Sequence, residues 1–158
     1  MPDHALRGIT MPIKVLVADD SAILRQAIRS VLATQPEIEL VGEAVNFAQA
    51  IQMANDLTPQ VIVMDLHMPD ENRIEPLNLK SKLNRGARTL AISVWTDENA
   101  QALAQMLGAV KLLDKAELGS TLIPAIVQFR GNSTGRTRAM IRRAGALIHR
   151  IVNRTAPN

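Results

Sequence analysis

Short apolar runs alternate with amphipathic segments along most of the chain, and this alternation constrains the fold more than any other feature. The apolar runs cover residues 13–18, 38–41, 61–64, 90–94 and 110–113. The amphipathic segments have the apolar spacing of helices and cover residues 22–33, 47–57, 74–83, 97–107 and 120–129. Runs this apolar are typical of strands that a parallel sheet buries on both faces. We therefore predict an α/β fold with a doubly wound, five-stranded parallel sheet flanked by five helices.

The charge along the chain is uneven and separates a body from a tail. The 158 residues include 18 Lys and Arg and 15 Asp and Glu. Seven arginines and no acidic residue lie at 130–158, so the remaining 11 basic and 15 acidic residues give residues 1–129 a net charge of −4. We expect a mildly acidic domain at 12–129, followed by a linker and a cationic C-terminal helix at 130–158.

The cationic segment has the spacing of one amphipathic helix over residues 137–152. Its apolar stripe consists of Met140, Ala144, Leu147, Ile148 and Ile151. Such a helix can dock on its own domain with its arginines in water, or bind an acidic partner, an anionic membrane surface or a nucleic acid. The segment is too short for a DNA-binding domain with its own core, so we do not expect sequence-specific DNA binding.

Composition excludes several other kinds of site. The sequence has no Cys, which rules out a disulfide framework and a cysteine nucleophile and fits a cytoplasmic protein. Only Phe47, Trp95 and Phe129 are aromatic, too few for a base-stacking platform. No apolar run approaches the roughly 18 residues of a membrane span. The glycine-rich cofactor loops and the common hydrolase motifs are absent, so we do not expect a metabolic enzyme.

Polar residues stand at the carboxyl ends of four predicted strands. They are Asp19 and Asp20 after the first, Asp65 at the third, Ser93 in the fourth and Lys115 beyond the fifth. Ligands of doubly wound sheets bind at this edge. Neighbouring carboxylates repel one another without a cation, and oxygen ligands suit Mg²⁺ beside a phosphate-bearing partner. With a hydroxyl donor and a lysine for a phosphoryl oxygen, this set meets the needs of phosphoryl transfer to an aspartate.

Each of these residues also has an ordinary structural interpretation. Asp19 and Asp20 can cap the first helix. Alone, Lys115 is typical of a solvated loop, and Ser93 is typical of a buried serine bonded to backbone. The combination of three carboxylates with the lysine favours the site. We expect His67 to be a loop residue whose ring is not a metal ligand, because no other His or Cys lies near it in sequence.

Four motifs in this order resemble the receiver domain of two-component response regulators, which has the CheY-like fold. They are VLVADDS, VIVMDLHMP, AISVW and LLDKAEL, and the resemblance covers about residues 14–128. The resemblance implies that Asp65 accepts a phosphoryl group from a histidine kinase or phosphotransfer protein. It also implies that Asp19, Asp20 and Asp65 bind Mg²⁺ together with the backbone carbonyl of His67.

The resemblance also implies roles for the hydroxyl and the lysine: Ser93 would bond the phosphoryl group and Lys115 would pair with it.

The sequence departs from the usual receiver pattern at several positions. Val94 replaces a small residue, so we expect slow reaction with small phosphodonors and slow hydrolysis. Leu112 replaces the aromatic residue of the switch, and Arg73 replaces a loop glycine. Ala116 follows the lysine in place of the common proline.

We therefore expect a stand-alone response regulator or phosphorelay intermediate, which is a phosphoacceptor and not an enzyme acting on other molecules. Its output would be binding of a downstream protein partner or dimerisation through the face of the fourth helix, fifth strand and fifth helix. The loop at Trp95 would take part in that switch. The alternative is a phosphorylation-independent interaction module, in which the departures at Val94, Leu112 and Arg73 reflect a lost switch.

Overall fold

Five parallel strands form one central sheet in the computed structural model, which describes residues 11–73, 75–83 and 86–130. The strands are β1 (Ile13–Ala18), β2 (Ile38–Ala44), β3 (Val61–Asp65), β4 (Arg88–Ser93) and β5 (Lys111–Asp114). They lie in the order β2-β1-β3-β4-β5, and each neighbouring pair is parallel. The strand order reverses between β1 and β3, so the predicted doubly wound sheet is confirmed.

Five α-helices follow the strands and cover both faces of the sheet. They are α1 (Ala22–Leu32), α2 (Phe47–Leu57), α3 (Pro76–Leu83), α4 (Glu98–Met106) and α5 (Leu118–Val127). One hydrophobic core lies between the sheet and helices α1 and α5, and a second lies between the sheet and helices α2, α3 and α4. This arrangement confirms the predicted three-layer α/β fold.

The central strands are apolar throughout because both of their faces meet a core. In β3, Val61 and Val63 join the core under α1 and α5, while Ile62 and Met64 join the core under the other three helices. Side chains alternate between the faces of a strand, so a strand covered on both sides needs apolar residues at every position. All five residues of β3 are buried, including the terminal Asp65.

Strand β2 is longer than the sequence predicts. The expected strand ended at Val41 before a glycine, but pairing with β1 continues to Ala44 after a register shift. Gly42 therefore lies inside the strand instead of ending it. A Cβ on Gly42 would lie 2.8 Å from Cδ1 of Leu57, so the glycine permits α2 to pack closely on β2.

Several helix boundaries also differ from expectation. Helix α4 begins one residue later than predicted, because Asp97 is its N-cap and its carboxylate accepts the N–H of Ala100 at 2.9 Å. Helix α5 begins two residues earlier than predicted, after a one-turn 3₁₀ helix at Lys115–Glu117. The N-cap of α1 is Ser21, whose hydroxyl accepts the N–H of Leu24, and Gly108 adopts a positive φ of 72° after α4.

The predicted cationic helix at 137–152 lies outside the described residues. Within the described ranges, every helix falls short of the combined length and apolarity that a bilayer crossing requires.

Candidate functional site

The carboxyl ends of β1, β3 and β4 bring the polar residues predicted from the sequence to one edge of the sheet. Ala18 of β1 is paired with Met64 of β3, so Asp19 follows directly beside Asp65. Asp65 is in turn paired with Ile92, which places Ser93 next along β4. This edge also contains the point where the strand order reverses, which is where ligands of such sheets bind.

Lys115 occupies the centre of this pocket. Its Nζ donates a hydrogen bond to Oδ2 of Asp65 at 2.8 Å and also lies 2.8 Å from Oδ2 of Asp19. The Asp19 contact is an ion pair without the alignment of a hydrogen bond. All three residues are buried, with exposed fractions of 9% for Lys115, 3% for Asp65 and 0% for Asp19. Charges so far from water interact more strongly than surface pairs do.

The second oxygen of each buried carboxylate is held by the backbone. Oδ1 of Asp19 accepts the N–H of Ser21 at 2.7 Å, and Oδ1 of Asp65 accepts the N–H of His67 at 3.1 Å. Both carboxylates are thereby oriented with Oδ2 towards Lys115. The pocket is preorganised, because local backbone donors fix the two side chains.

Burial and charge shift the titration of this pocket. Burial raises the pKa of Asp65 to about 6, against the attraction of Lys115, and the negative charge of Asp19 contributes to the rise. Burial alone would lower the pKa of Lys115, but the negative charges of Asp65 and Asp19, together with the hydrogen bond to Asp65, outweigh it and raise that pKa above its ordinary value. The lysine is therefore held as the ammonium ion.

Asp20 completes a triad of carboxylates that fits a divalent cation. One oxygen from each of Asp19, Asp20 and Asp65 lies within 4.8 Å of the other two. Oδ2 of Asp19 is buried and accepts no hydrogen bond, so an added cation would satisfy an oxygen that now has only an ion pair. The donor atoms are all oxygens, as Mg²⁺ prefers. Asp20 is exposed and leaves the triad open to water and to a phosphate-bearing partner.

Ser93 lies at the end of β4, with its hydroxyl turned to the following loop. It is fully buried, and its Oγ accepts the N–H of Trp95 at 3.1 Å. The next two side chains face solvent, because Val94 is 50% exposed and Trp95 is 61% exposed. This hydrogen bond links the Ser93 hydroxyl directly to the backbone of Trp95, the only tryptophan of the chain.

His67 connects the loop after β3 with the loop after β4. Its Nδ1 lies 3.1 Å from Oε2 of Glu71, and its ring meets the Trp95 ring edge to face, with 5.8 Å between the centroids. The imidazole is exposed and turned to these two partners. The two loops therefore touch at the mouth of the pocket.

The departures from the receiver pattern have clear positions. Leu112 is half-buried on β5 and packs against the core under α4, where it lines a cleft of about 550 Å³ with Gln101 and Gln105. Arg73 is exposed and ends a one-turn 3₁₀ helix in the loop after β3. The peptide bond before Ala116 is trans, and the described residues contain no cis peptide.

Arg25 is a residue whose part in the site the sequence did not reveal. The apolar spacing of residues 22–33 predicts that Arg25 and Arg29 face solvent, and for Arg25 this prediction is wrong. Its Nη1 donates to the backbone carbonyl of Asp19 at 2.6 Å, and its Nε lies 3.5 Å from Glu43 of β2. The side chain is only 15% exposed. Its spacing from Ser21 places it on the same side of α1, but nothing local indicates Glu43 as its partner.

Asp70 is a second residue that the sequence analysis did not identify. Its Oδ1 accepts the N–H of Phe47 at 2.9 Å, and its Oδ2 accepts the N–H of Ala48 at 3.0 Å. The carboxylate thus joins the loop after β3 to the first turn of α2. An acidic residue after a proline is a weak local signal, and the partner helix lies more than 20 residues earlier in the chain.

Comparison with known sequences identifies relatives over the region that holds the site. The protein-glutamate methylesterase/protein-glutamine glutaminase of Thermotoga maritima is 38% identical over 105 residues, which are 65% of this chain and 30% of that protein. The corresponding protein 2 of Shewanella oneidensis is 37% identical over 114 residues, which are 70% of this chain and 32% of that protein. The chain therefore matches about 30% of the length of these relatives.

Comparison with solved structures also identifies receiver domains that match most of this chain. The response regulator domain of Thermotoga maritima CheB has a TM-score of 0.66 at 31% identity and covers 78% of this chain and 99% of its own. The signal receiver domain of the putative response regulator NarL from Mycobacterium tuberculosis has a TM-score of 0.68 at 22% identity, with coverage of 77% and 99%. The pattern of the response regulator receiver domain matches residues 15–127. With this match, the sheet order and the acidic pocket, the chain belongs to the response regulator receiver domain family.

Proposed function

We propose that Asp65 accepts a phosphoryl group from a phosphohistidine of a histidine kinase or phosphotransfer protein, in a reaction that depends on Mg²⁺. The observation that carries this proposal is the position of Lys115, whose Nζ lies 2.8 Å from one oxygen of Asp65 and 2.8 Å from one oxygen of Asp19. A buried lysine between two carboxylates, with Asp20 at the open side, suits a site that receives a phosphate.

The residues of this chain supply the nucleophile and its surroundings. A carboxylate oxygen of Asp65 attacks the phosphorus, the new O–P bond forms, and the P–N bond breaks as the donor imidazole leaves. The ammonium of Lys115 then pairs with a phosphoryl oxygen. The Ser93 hydroxyl, now bonded to the N–H of Trp95, turns to a second phosphoryl oxygen.

The acidic triad is the place where the cation binds. Asp19, Asp20 and Asp65 would supply carboxylate oxygens, and the backbone carbonyl of His67 would supply a further ligand, as the resemblance to receiver domains implies. When bound, Mg²⁺ supplies positive charge to the phosphoryl oxygens during transfer. The attacking carboxylate must be ionised, and a pKa of about 6 leaves Asp65 largely ionised at neutral pH.

Signalling follows through protein contacts of the receiver at 12–129, with the cationic segment at 130–158 as a second contact region. The face of α4, β5 and α5 is the proposed surface for a downstream partner or a second copy. Large apolar side chains that are about half exposed or more support this assignment, and they are Trp95, Met106 and Val110. Phosphorylation biases the loop that carries Trp95 towards the conformation that the partner binds.

Intact-mass spectrometry after incubation with phosphoramidate and Mg²⁺ tests the phosphoacceptor role. We expect the chain to gain the mass of one phosphoryl group, lost on treatment with hydroxylamine as an acyl phosphate is. The variant Asp65→Asn should gain nothing, and Asp56→Asn, which changes an exposed acid on α2, should react as the wild type does.

Beryllofluoride provides the second arm, because Val94 is expected to slow small covalent donors. Binding of beryllofluoride with Mg²⁺, followed by calorimetry, supports the site even where phosphoramidate reacts slowly. Mg²⁺ binding with neither an adduct nor beryllofluoride binding would favour the alternative, a receiver-fold module that works without phosphorylation.

A further inference from the structure

We infer that Asp70 is a positioning residue, which orients the Asp65 carboxylate by tying the loop after β3 to the first turn of α2; the inference rests on the proposed function. Asp70 lies in the loop that begins directly after Asp65 and contains His67. Both of its carboxylate oxygens are engaged, one with the N–H of Phe47 at 2.9 Å and one with the N–H of Ala48 at 3.0 Å.

The first turn of α2 is a strong anchor for this carboxylate. The first N–H groups of a helix have no partner within the helix, and the positive end of the helix dipole attracts negative charge. Hydrogen bonds from N–H groups to a carboxylate are also stronger than those to neutral acceptors. The next donor, the N–H of Gln49, is taken by Asn46, whose Oδ1 lies 2.8 Å away. Asp70 and Asn46 therefore divide the cap of α2 between them.

The segment between Asp65 and Asp70 is held at both ends. At its start, Oδ1 of Asp65 accepts the N–H of His67 at 3.1 Å. In its middle, Met68 is 3% exposed and packs in the same core as Phe47. At its end, Asp70 is bonded to α2. The N–H of His67 therefore has a fixed position, and its hydrogen bond fixes Oδ1 of Asp65. With Oδ1 held in this way, Oδ2 of Asp65 faces Lys115.

A residue that only capped α2 would act on stability alone, so a second cap of the same helix provides the control. Asn46→Ala removes the side-chain cap at Gln49 without touching the loop after β3. Asp70→Ala removes two bonds to the same helix turn and releases the loop. Asp70→Asn keeps one acceptor oxygen and is the conservative variant, because Asn and Asp are both good caps.

Calorimetric titration of the full chain with MgCl₂ measures the effect. We expect Asn46→Ala to bind Mg²⁺ as the wild type does. Asp70→Ala should bind roughly 10-fold more weakly, the lower end of the range for residues that orient metal ligands through other groups. Asp70→Asn should lie between them, and both alanine variants should lower Tm.

Hydrogen exchange of the His67 amide, measured by NMR without metal, gives an independent readout. The exchange should be faster in Asp70→Ala and unchanged in Asn46→Ala. Equal Mg²⁺ affinity and equal His67 exchange in the two alanine variants would overturn the positioning role while leaving the metal site intact. A wild type that binds no Mg²⁺ would instead overturn the proposed function. Should Asp70→Ala fail to fold, the same comparison between Asp70→Asn and Asn46→Ala decides the matter.

Discussion

Nζ of Lys115 lies 2.8 Å from Oδ2 of Asp65, and the same nitrogen lies 2.8 Å from Oδ2 of Asp19. One ammonium therefore compensates two buried carboxylates, and a third carboxylate, that of Asp20, lies at the open side of the pocket. The net negative charge of this group favours a divalent cation among the carboxylates.

Lys115→Met leaves the two buried carboxylates without their cation. We expect the free energy of unfolding to fall by about 3 kcal/mol, because removing one partner of a buried ion pair strands the other charge. Added Mg²⁺ should restore part of the loss, since it binds the same oxygens. Urea unfolding with and without MgCl₂ measures both effects. Lys111→Met removes an exposed lysine from β5 and serves as the control; equal losses in the two variants would contradict the prediction.

The raised pKa of Asp65 predicts a stability difference that depends on pH. The folded chain holds the Asp65 proton more tightly than the unfolded chain, so this contribution to stability is complete below pH 4 and is lost as pH rises through about 6. Asp65→Asn removes the titration. We expect the variant to be more stable than the wild type at pH 8 by up to about 3 kcal/mol and to show no such gain at pH 4.

Urea unfolding of wild type and Asp65→Asn at several pH values between 4 and 8, without divalent cations, measures this difference. Asp56→Asn, at an exposed position on α2, is the control. A gap between wild type and Asp65→Asn that stays constant across this range would show that burial does not control the titration of Asp65. Mg²⁺ at pH 8 should stabilise the wild type and have little effect on the variant.

The edge of the sheet that holds Asp19, Asp65 and Lys115 could be predicted from the sequence, because strand alternation alone sets which residues stand at the carboxyl ends of parallel strands. The contacts of Arg25 and Asp70 could not be predicted in this way. They depend on how α1 packs against β2 and how the loop after β3 meets α2, and these distances are set by the packed cores and not by spacing along the chain.

The boundaries of β2 and α4 likewise depend on more than the local sequence. Gly42 indicates the end of a strand when it is considered alone, yet pairing with β1 continues through it, and its missing side chain leaves room for α2. Asp97 and Thr96 are both good helix caps, and the structure has Asp97 as the cap, in extended conformation and with its carboxylate bonded to the N–H of Ala100.

The contacts of Arg25 predict a difference between two arginines of α1. Both reach Glu43, but only Arg25 also donates to the carbonyl of Asp19, at 2.6 Å. Arg25→Met should lower the free energy of unfolding by about 2 kcal/mol, since a charged hydrogen bond to a buried carbonyl is lost. Arg29→Met, at a side chain that is 56% exposed, should cost less than about 0.5 kcal/mol. Thermal and urea unfolding compare the two, and a larger effect at Arg29 would refute the assignment.

The bond between Ser93 and Trp95 predicts an optical signal for the switch. Turning of the Ser93 hydroxyl to a phosphoryl group breaks its bond to the N–H of Trp95, so the tryptophan should change its environment. We expect beryllofluoride with Mg²⁺ to alter Trp95 fluorescence in the wild type and not in Asp65→Asn. Ser93→Ala should bind Mg²⁺ as the wild type does, but it should lose most of the change in Trp95 fluorescence that beryllofluoride causes. An undiminished fluorescence response in Ser93→Ala would show that the serine does not couple beryllofluoride binding to the environment of Trp95.

Val94 predicts a kinetic effect at the entrance of the pocket. Val94 follows Ser93 directly, in the loop after β4, and half of its side chain is exposed. We expect this branched side chain to narrow the approach of phosphodonor and water to Asp65. Val94→Ala should therefore accept phosphate from phosphoramidate faster and lose it faster by hydrolysis, each several-fold. Intact-mass spectrometry over time gives both rates, and Val45→Ala, which trims a valine at another exposed loop position, is the control. A phosphoryl half-life in Val94→Ala no shorter than in the wild type would remove Val94 as the barrier.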